Sequence, residues 1–133
     1  MKYRKGYLYQ LAEDETFQTD ITPSTILRTR WIQLNPSGQL MIFSGFSWDG
    51  PSGPTLNSDN SMRASLAHDA LYQLMRMGML EQGWREEADL LLDRLLKEDG
   101  MWALRRWYWL KGVRWFAAGA ADPMNKKPVF TAP

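Results

Sequence analysis

The sequence predicts an α+β protein, with an N-terminal antiparallel β region packed on three C-terminal helices, the first two an antiparallel pair. Three observations predict it. Up to residue 47, short β-rich runs are separated by turn-forming residues. From Ser61 onward, apolar residues recur at helical spacing. Between them, Gly50, Pro51, Gly53 and Pro54 crowd a stretch that neither period can cross. At 133 residues the natural count is one domain: a β region over 1–47, a loop over 48–60, a helical region over 61–119 and an extended tail over 120–133.

In chain order, "GYLYQL" alternates moderately and reads as a strand, "AEDET" is a polar break, and "FQTDI" is a second strand. "RTRWIQL" and "QLMIFSGF" flank "NPSG" and predict a hairpin. Asn35 can bond the backbone there, Pro36 presets φ, and Gly38 accepts a positive φ. The loop that follows reads either as a rigid connector or as a binding loop.

The first helix is expected over 61–77, capped by Asn60 or Ser61 and closed by Gly78. Leu66, Ala70, Leu71, Leu74 and Met75 form its apolar stripe. The second is expected over 84–98, with Ala88, Leu91, Leu92, Leu95 and Leu96 inward and Gly100 at its end. The third is expected over 101–119.

Composition narrows the function classes. Apolar residues make up 44% of the chain, enough to form a core without covalent staples. There is no cysteine, which excludes disulfides and thiolate metal sites. A net charge of +1 gives no whole-molecule attraction to nucleic acid or anionic lipid, so only a local patch could supply one. The basic start "MKYRKGYLYQ" lacks the apolar core of a secretory signal, and no apolar run approaches the length of a membrane span. The expectation is a soluble chain.

His68, the one histidine, lies in "LAHDALYQLM". On a helix, His68 and Tyr72 share a face, whereas Asp69 points about 100° away. The partner of the imidazole should therefore come from another element. Folding the second helix back antiparallel about a turn near residue 80 brings Asp89 level with Tyr72 and within about one turn of His68. Asp93 is its rival, one turn on and level with His68 itself. A carboxylate on one ring nitrogen fixes the tautomer and leaves the other nitrogen free to take a proton from water. The competing reading is a structural histidine in a polar seam between helices. Asp69 could hold a hard cation together with Asp49 and backbone carbonyls of the loop such as that of Gly50, calcium being the ion suited to such donors. It could equally cap loop N–H groups. Zinc is a poor fit to one histidine and carboxylates.

These residues resemble the phospholipase A2 superfamily, most closely its short bacterial, fungal and parvoviral branches. The motifs are "DGPSGPTLNSDNSMRASLAHDALY" and "EEADLLLDRLL", within residues 45–97. The resemblance implies His68 as general base, Asp89 as its orienter with Tyr72 in support, and Asp69 as a calcium ligand. The chain departs from the secreted enzymes in lacking cysteine, in a loop poorer in glycine and in its β-rich N-terminus. The same stretch also resembles a family of short uncharacterised proteins of tailed bacteriophages and prophages. Asp49, Ser52 and Pro54 fall on that family's loop, His68, Asp69 and Tyr72 on its helical motif, and Ala88 and Asp89 on its second helix. This second resemblance implies a phage origin and names no activity.

In the third expected helix, Trp102, Trp107 and Trp109 are interleaved with Arg105 and Arg106. They could serve a partner-protein interface, a phospholipid surface or core packing; nucleic acid is the least expected partner. Two functions follow. One is a calcium-dependent ester hydrolase acting on phospholipid. The other is a non-enzymatic phage structural or accessory protein that binds a phage or host protein through the aromatic, basic helix. Either would work in the host cytoplasm or in the virion.

Overall fold

In the computed structural model, residues 1, 3–5, 9–48, 59–100, 106 and 110 are described, with the backbone alone for 3–5 and 59–61. The chain divides into two compact units, and the described residues through Trp48 belong to one, those from Asp59 to the other.

The first unit holds two antiparallel sheets. One contains β1 (Tyr3–Lys5), β2 (Tyr9–Leu11) and β7 (Ser47–Trp48), in the order β1-β2-β7. The other contains β3 (Glu15–Gln18), β4 (Leu27–Arg28), β5 (Ile32–Leu34) and β6 (Gln39–Ile42), in the order β3-β6-β5-β4. Alternation sends Phe17, Ile32, Leu34, Leu40 and Ile42 inward, where they join Leu11, Ile21 and Phe46 in the unit's core. The expected hairpin is β5–β6, with Ile32 opposite Ile42 and Leu34 opposite Leu40. Its turn closes through bonds from Gly38 N to the Asn35 carbonyl (2.9 Å) and from Asn35 N to the Gln39 carbonyl (3.0 Å). Gly38 has φ +88°, and a Cβ there would lie 2.2 Å from the Thr19 carbonyl oxygen. Glycine is required at this turn both by the left-handed backbone and by the close approach of a neighbouring strand.

The strands depart from the expected ones in two places. "RTRWIQL" is not one strand but two, because the chain reverses at Thr29–Trp31. The Thr29 hydroxyl accepts from Trp31 N (3.2 Å) and Ile32 N (3.1 Å), and Thr29 N bonds the Ile32 carbonyl at 2.8 Å. A threonine hydroxyl that serves backbone N–H groups makes a turn without glycine or proline. The second departure is β3, which begins inside the expected polar break and ends at Gln18. Thr19 then turns the chain, its hydroxyl donating to the Gly38 carbonyl at 2.7 Å and accepting from Ile21 N at 3.1 Å.

The second unit is built on α1 (Asp59–Arg76) and α2 (Arg85–Glu98), the latter preceded by a 3-10 turn over Gln82–Trp84. α1 starts two residues earlier than expected, inside the stretch read as loop. It ends at Gly78 (φ +74°), where Gly78 N bonds the Met75 carbonyl and Met79 N bonds the Leu74 carbonyl, both at 2.9 Å. That is the paired-bond helix stop expected of glycine. α2 carries Glu86 and Glu87 in its first turn and Lys97 in its last, matching the helix dipole. The two α-helices differ in burial. α2 is amphipathic, with Ala88, Leu91, Leu92, Leu95 and Leu96 buried while Leu90 is half exposed. α1 has no exposed residue between Met62 and Arg76, so its burial is far wider than the single stripe its leucines suggest. Ala64, Ala67 and Ala70 are fully buried and widen that stripe.

Two α-helices are found among the described residues where three are expected. The span of the third, 101–119, lies outside them except for Arg106 and Leu110, both helical. No helix among the described residues is long and apolar enough to cross a membrane.

Candidate functional site

α1 and α2 bring together three polar side chains. The Gly78 stop and the short connection to α2 turn the chain back so that the inward face of α2 meets α1. Asp89 lies on that face among leucines. Its Oδ1 accepts from His68 Nε2 at 2.7 Å and from the Tyr72 hydroxyl at 2.7 Å. His68 and Tyr72, one turn apart on α1, stack their rings with centroids 4.2 Å apart and planes 30° apart. The relative exposures are 7% for His68, 2% for Tyr72 and 3% for Asp89, so these bonds are made in a largely dry setting. There each is stronger electrostatically than in water, and leaving any partner unpaired is costly.

The arrangement fixes the histidine tautomer. A carboxylate only accepts, so Nε2 carries a proton and Nδ1 is the nitrogen that can take one up. No group among the described residues bonds Nδ1. The tyrosine hydroxyl donates to the same oxygen as the imidazole and thereby helps to hold the carboxylate against Nε2.

Between the two aspartates left open by helix geometry, Asp89 meets the histidine. Asp93 instead faces Arg106, whose Nε bonds Asp93 Oδ1 at 3.1 Å. Asp93 sits a turn nearer the C-terminus of α2, and it is Asp89 that meets Tyr72, as a reversal centred near residue 80 requires. Arg63, which the sequence does not single out, spans the helix pair at its other end. Its guanidinium meets Asp99 at 2.6 Å and Glu98 at 4.0 Å. The available signal is its register, since Arg63 and Asp99 reflect onto each other about the same turn that pairs Tyr72 with Asp89. Ser65, buried one turn before His68, donates to the Met62 carbonyl at 3.0 Å.

Of the residues expected to hold calcium, Asp69 is half-buried on α1 beside His68, while Asp49 and Gly50 lie outside the described residues. Among the described residues no group of three His, Asp or Glu side chains could hold a metal ion. An oxygen donor such as Asp69 suits calcium chemically, but a single carboxylate does not make a site. Of the expected interface residues, Arg106 is described and paired with Asp93. Trp102, Arg105, Trp107 and Trp109 lie outside the described residues.

Comparison with known protein families, with curated proteins and with solved structures finds no match to this chain.

Proposed function

We propose that the protein is a phage-derived hydrolase of esters, phospholipid being the favoured substrate class, with His68 as the general base. The observation that carries this reading is the convergence of His68 Nε2 and the Tyr72 hydroxyl on one oxygen of Asp89. That convergence leaves Nδ1 as a base of fixed direction.

In the reaction, Nδ1 takes a proton from water while the water oxygen attacks the ester carbonyl carbon. The tetrahedral adduct then collapses, the acyl C–O bond breaks, and the departing alkoxide takes the proton back from Nδ1. Asp89 supports the imidazolium that exists between the two transfers, and Tyr72 keeps Asp89 in place. Asp69, with Asp49 and the Gly50 carbonyl, would hold a calcium ion, which would polarise the ester carbonyl. In the same reading, the aromatic and basic residues Trp102, Arg105, Arg106, Trp107 and Trp109 meet the phospholipid surface or a phage or host protein. The setting is the host cytoplasm or the virion.

The low exposure of all three side chains favours a second reading, a polar seam that specifies how two helices pair in a non-enzymatic phage accessory protein. One experiment separates the two. Release of fatty acid from short-chain phospholipid is measured for the wild type and for His68→Asn, with folding followed by circular dichroism. The hydrolytic reading expects measurable wild-type turnover and a loss of about 100-fold or more in the variant while the helices persist. Equal rates in the two proteins, or none above background in either, leave the seam as the function.

A further inference from the structure

The four-stranded sheet has an outer face that the hydrolytic reading does not use. In the register, Arg28 lies opposite Gln33, Gln33 opposite Met41, and Met41 opposite Thr16, on the side away from Ile32, Leu34, Leu40 and Ile42. Trp31 and Phe43 close one end of this face, joined by a bond from Phe43 N to the Trp31 carbonyl at 2.8 Å. Each ring carries a guanidinium, Arg30 lying 4.7 Å from the Trp31 ring and Arg28 lying 5.2 Å from the Phe43 ring. From that end a run of amides crosses to the hairpin turn. Arg28 donates to Gln33 Oε1, Gln33 donates to Asn35 Oδ1 (2.8 Å), and Asn35 donates to Gln39 Oε1 (3.1 Å).

We propose that this face binds single-stranded nucleic acid. Three properties point to that ligand. First, Arg28 and Arg30 are exposed, and among the described residues neither has a carboxylate partner. A guanidinium over an aromatic face keeps several N–H donors, suited to a phosphate oxygen. Of the carboxylates at that end of β3, Asp14 accepts from Ser44 N at 2.7 Å and Glu15 faces the Met1 amine at 3.7 Å. Second, a guanidinium–aromatic pair offers a flat platform on which a base can stack whatever its identity. Third, Gln33 and Asn35 each use one donor and one acceptor within the run, Gln39 uses only an acceptor, and all three keep a further donor or lone pair for a base edge. A bilayer would bury those amides without replacing their water, which disfavours a lipid partner here. A neutral glycan would leave the two cations unanswered. The inference does not depend on His68 or on hydrolysis.

The test is fluorescence anisotropy of a labelled oligo-dT of about 12 nucleotides titrated with the full chain. Two phosphate contacts give a salt slope of about −1.4, so Kd should rise about sevenfold between roughly 50 and 200 mM salt. Replacing both arginines (Arg28→Ala with Arg30→Ala) should weaken binding at least tenfold and flatten the salt dependence. Gln33→Glu, which keeps the size of a side chain on this face and adds a negative charge, should also weaken it. Arginines that only guard an edge strand would produce none of these changes. The proposal is overturned by no binding at protein concentrations of about 10⁻⁴ M. Binding that survives the double substitution also overturns it, as does equal affinity for heparin or anionic vesicles.

Discussion

The two units treat their polar side chains in opposite ways. In the sheet unit the hydrogen-bonded chain from Arg28 through Gln33 and Asn35 to Gln39 runs along the outside, and among the described residues the buried side chains with a polar group include Thr19 and Tyr9. In the helical unit a histidine, a tyrosine and an aspartate bond one another in the interior. The number of bonds is similar, but their consequences for stability are not. A bond between groups that water can serve equally well contributes little when it forms. A buried group that loses its partner keeps its full desolvation penalty. Polar contacts should therefore be weighed by what happens when one partner is removed.

The largest expected effect tests that contrast directly. Asp89→Ala strands a buried imidazole N–H and a buried phenol together and should cost about 3–5 kcal/mol. Gln33→Ala breaks two bonds of the outer ladder and should cost about 0.5 kcal/mol or less. Urea midpoints of the two variants provide the measurement. If the pair come out alike, burial is not what separates the units.

Glycine gives the next contrast. Gly38→Ala forces a Cβ to within 2.2 Å of the Thr19 carbonyl oxygen at a positive φ, and the sheet must shift to admit it. The expected loss is about 2–4 kcal/mol. Gly78→Ala has a positive φ too, but nothing lies within 4 Å of the new methyl group. There the backbone term stands alone, at about 1 kcal/mol. Thermal unfolding of both variants separates close packing from backbone conformation.

The same contrast explains how much could be read from the sequence. The antiparallel helix pair, its glycine stop and the meeting of His68 and Tyr72 with a carboxylate of α2 follow from helical periodicity and one reflection. The choice of Asp89 over Asp93 does not follow from geometry, because it depends on the centre of the turn to within a residue or two. The pairing that occupies Asp93 comes from Arg106, beyond both helices. The β5–β6 hairpin was legible because Asn35, Pro36 and Gly38 have strong turn chemistry of their own. The reversal at Thr29 was not, since it rests on one hydroxyl among residues that otherwise favour a strand. The wide burial of α1 was hidden in its alanines, which a search for large apolar residues passes over.

A third prediction sharpens the reading of the triad. Tyr72→Phe removes one of the two donors to Asp89 Oδ1 and keeps the ring that stacks on His68. The cost should be about 1–1.5 kcal/mol. If the protein hydrolyses esters, turnover should fall less than in His68→Asn, because tyrosine acts there through Asp89 and not on the reacting atoms. A rate as low as that of His68→Asn would put the phenol in contact with the substrate.

The smallest effect concerns Arg63 and Asp99, which close the far end of the helix pair at 2.6 Å. The arginine side chain is 35% exposed, so this tie lies between the outer ladder and the buried triad. Exposed ion pairs couple by about 0.2–1 kcal/mol. In a double-mutant cycle of Arg63→Ala and Asp99→Ala, a coupling in that range should fade in about 1 M salt, where the screening length is near 3 Å. The corresponding cycle of His68 and Asp89 should barely respond, because salt does not enter a dry helix interface. An Arg63–Asp99 coupling that survives high salt undiminished would place it with the buried triad. The helix pair would then be held by interior electrostatics at both ends, and the division between the units would be one of position along the chain and not of exposure to water.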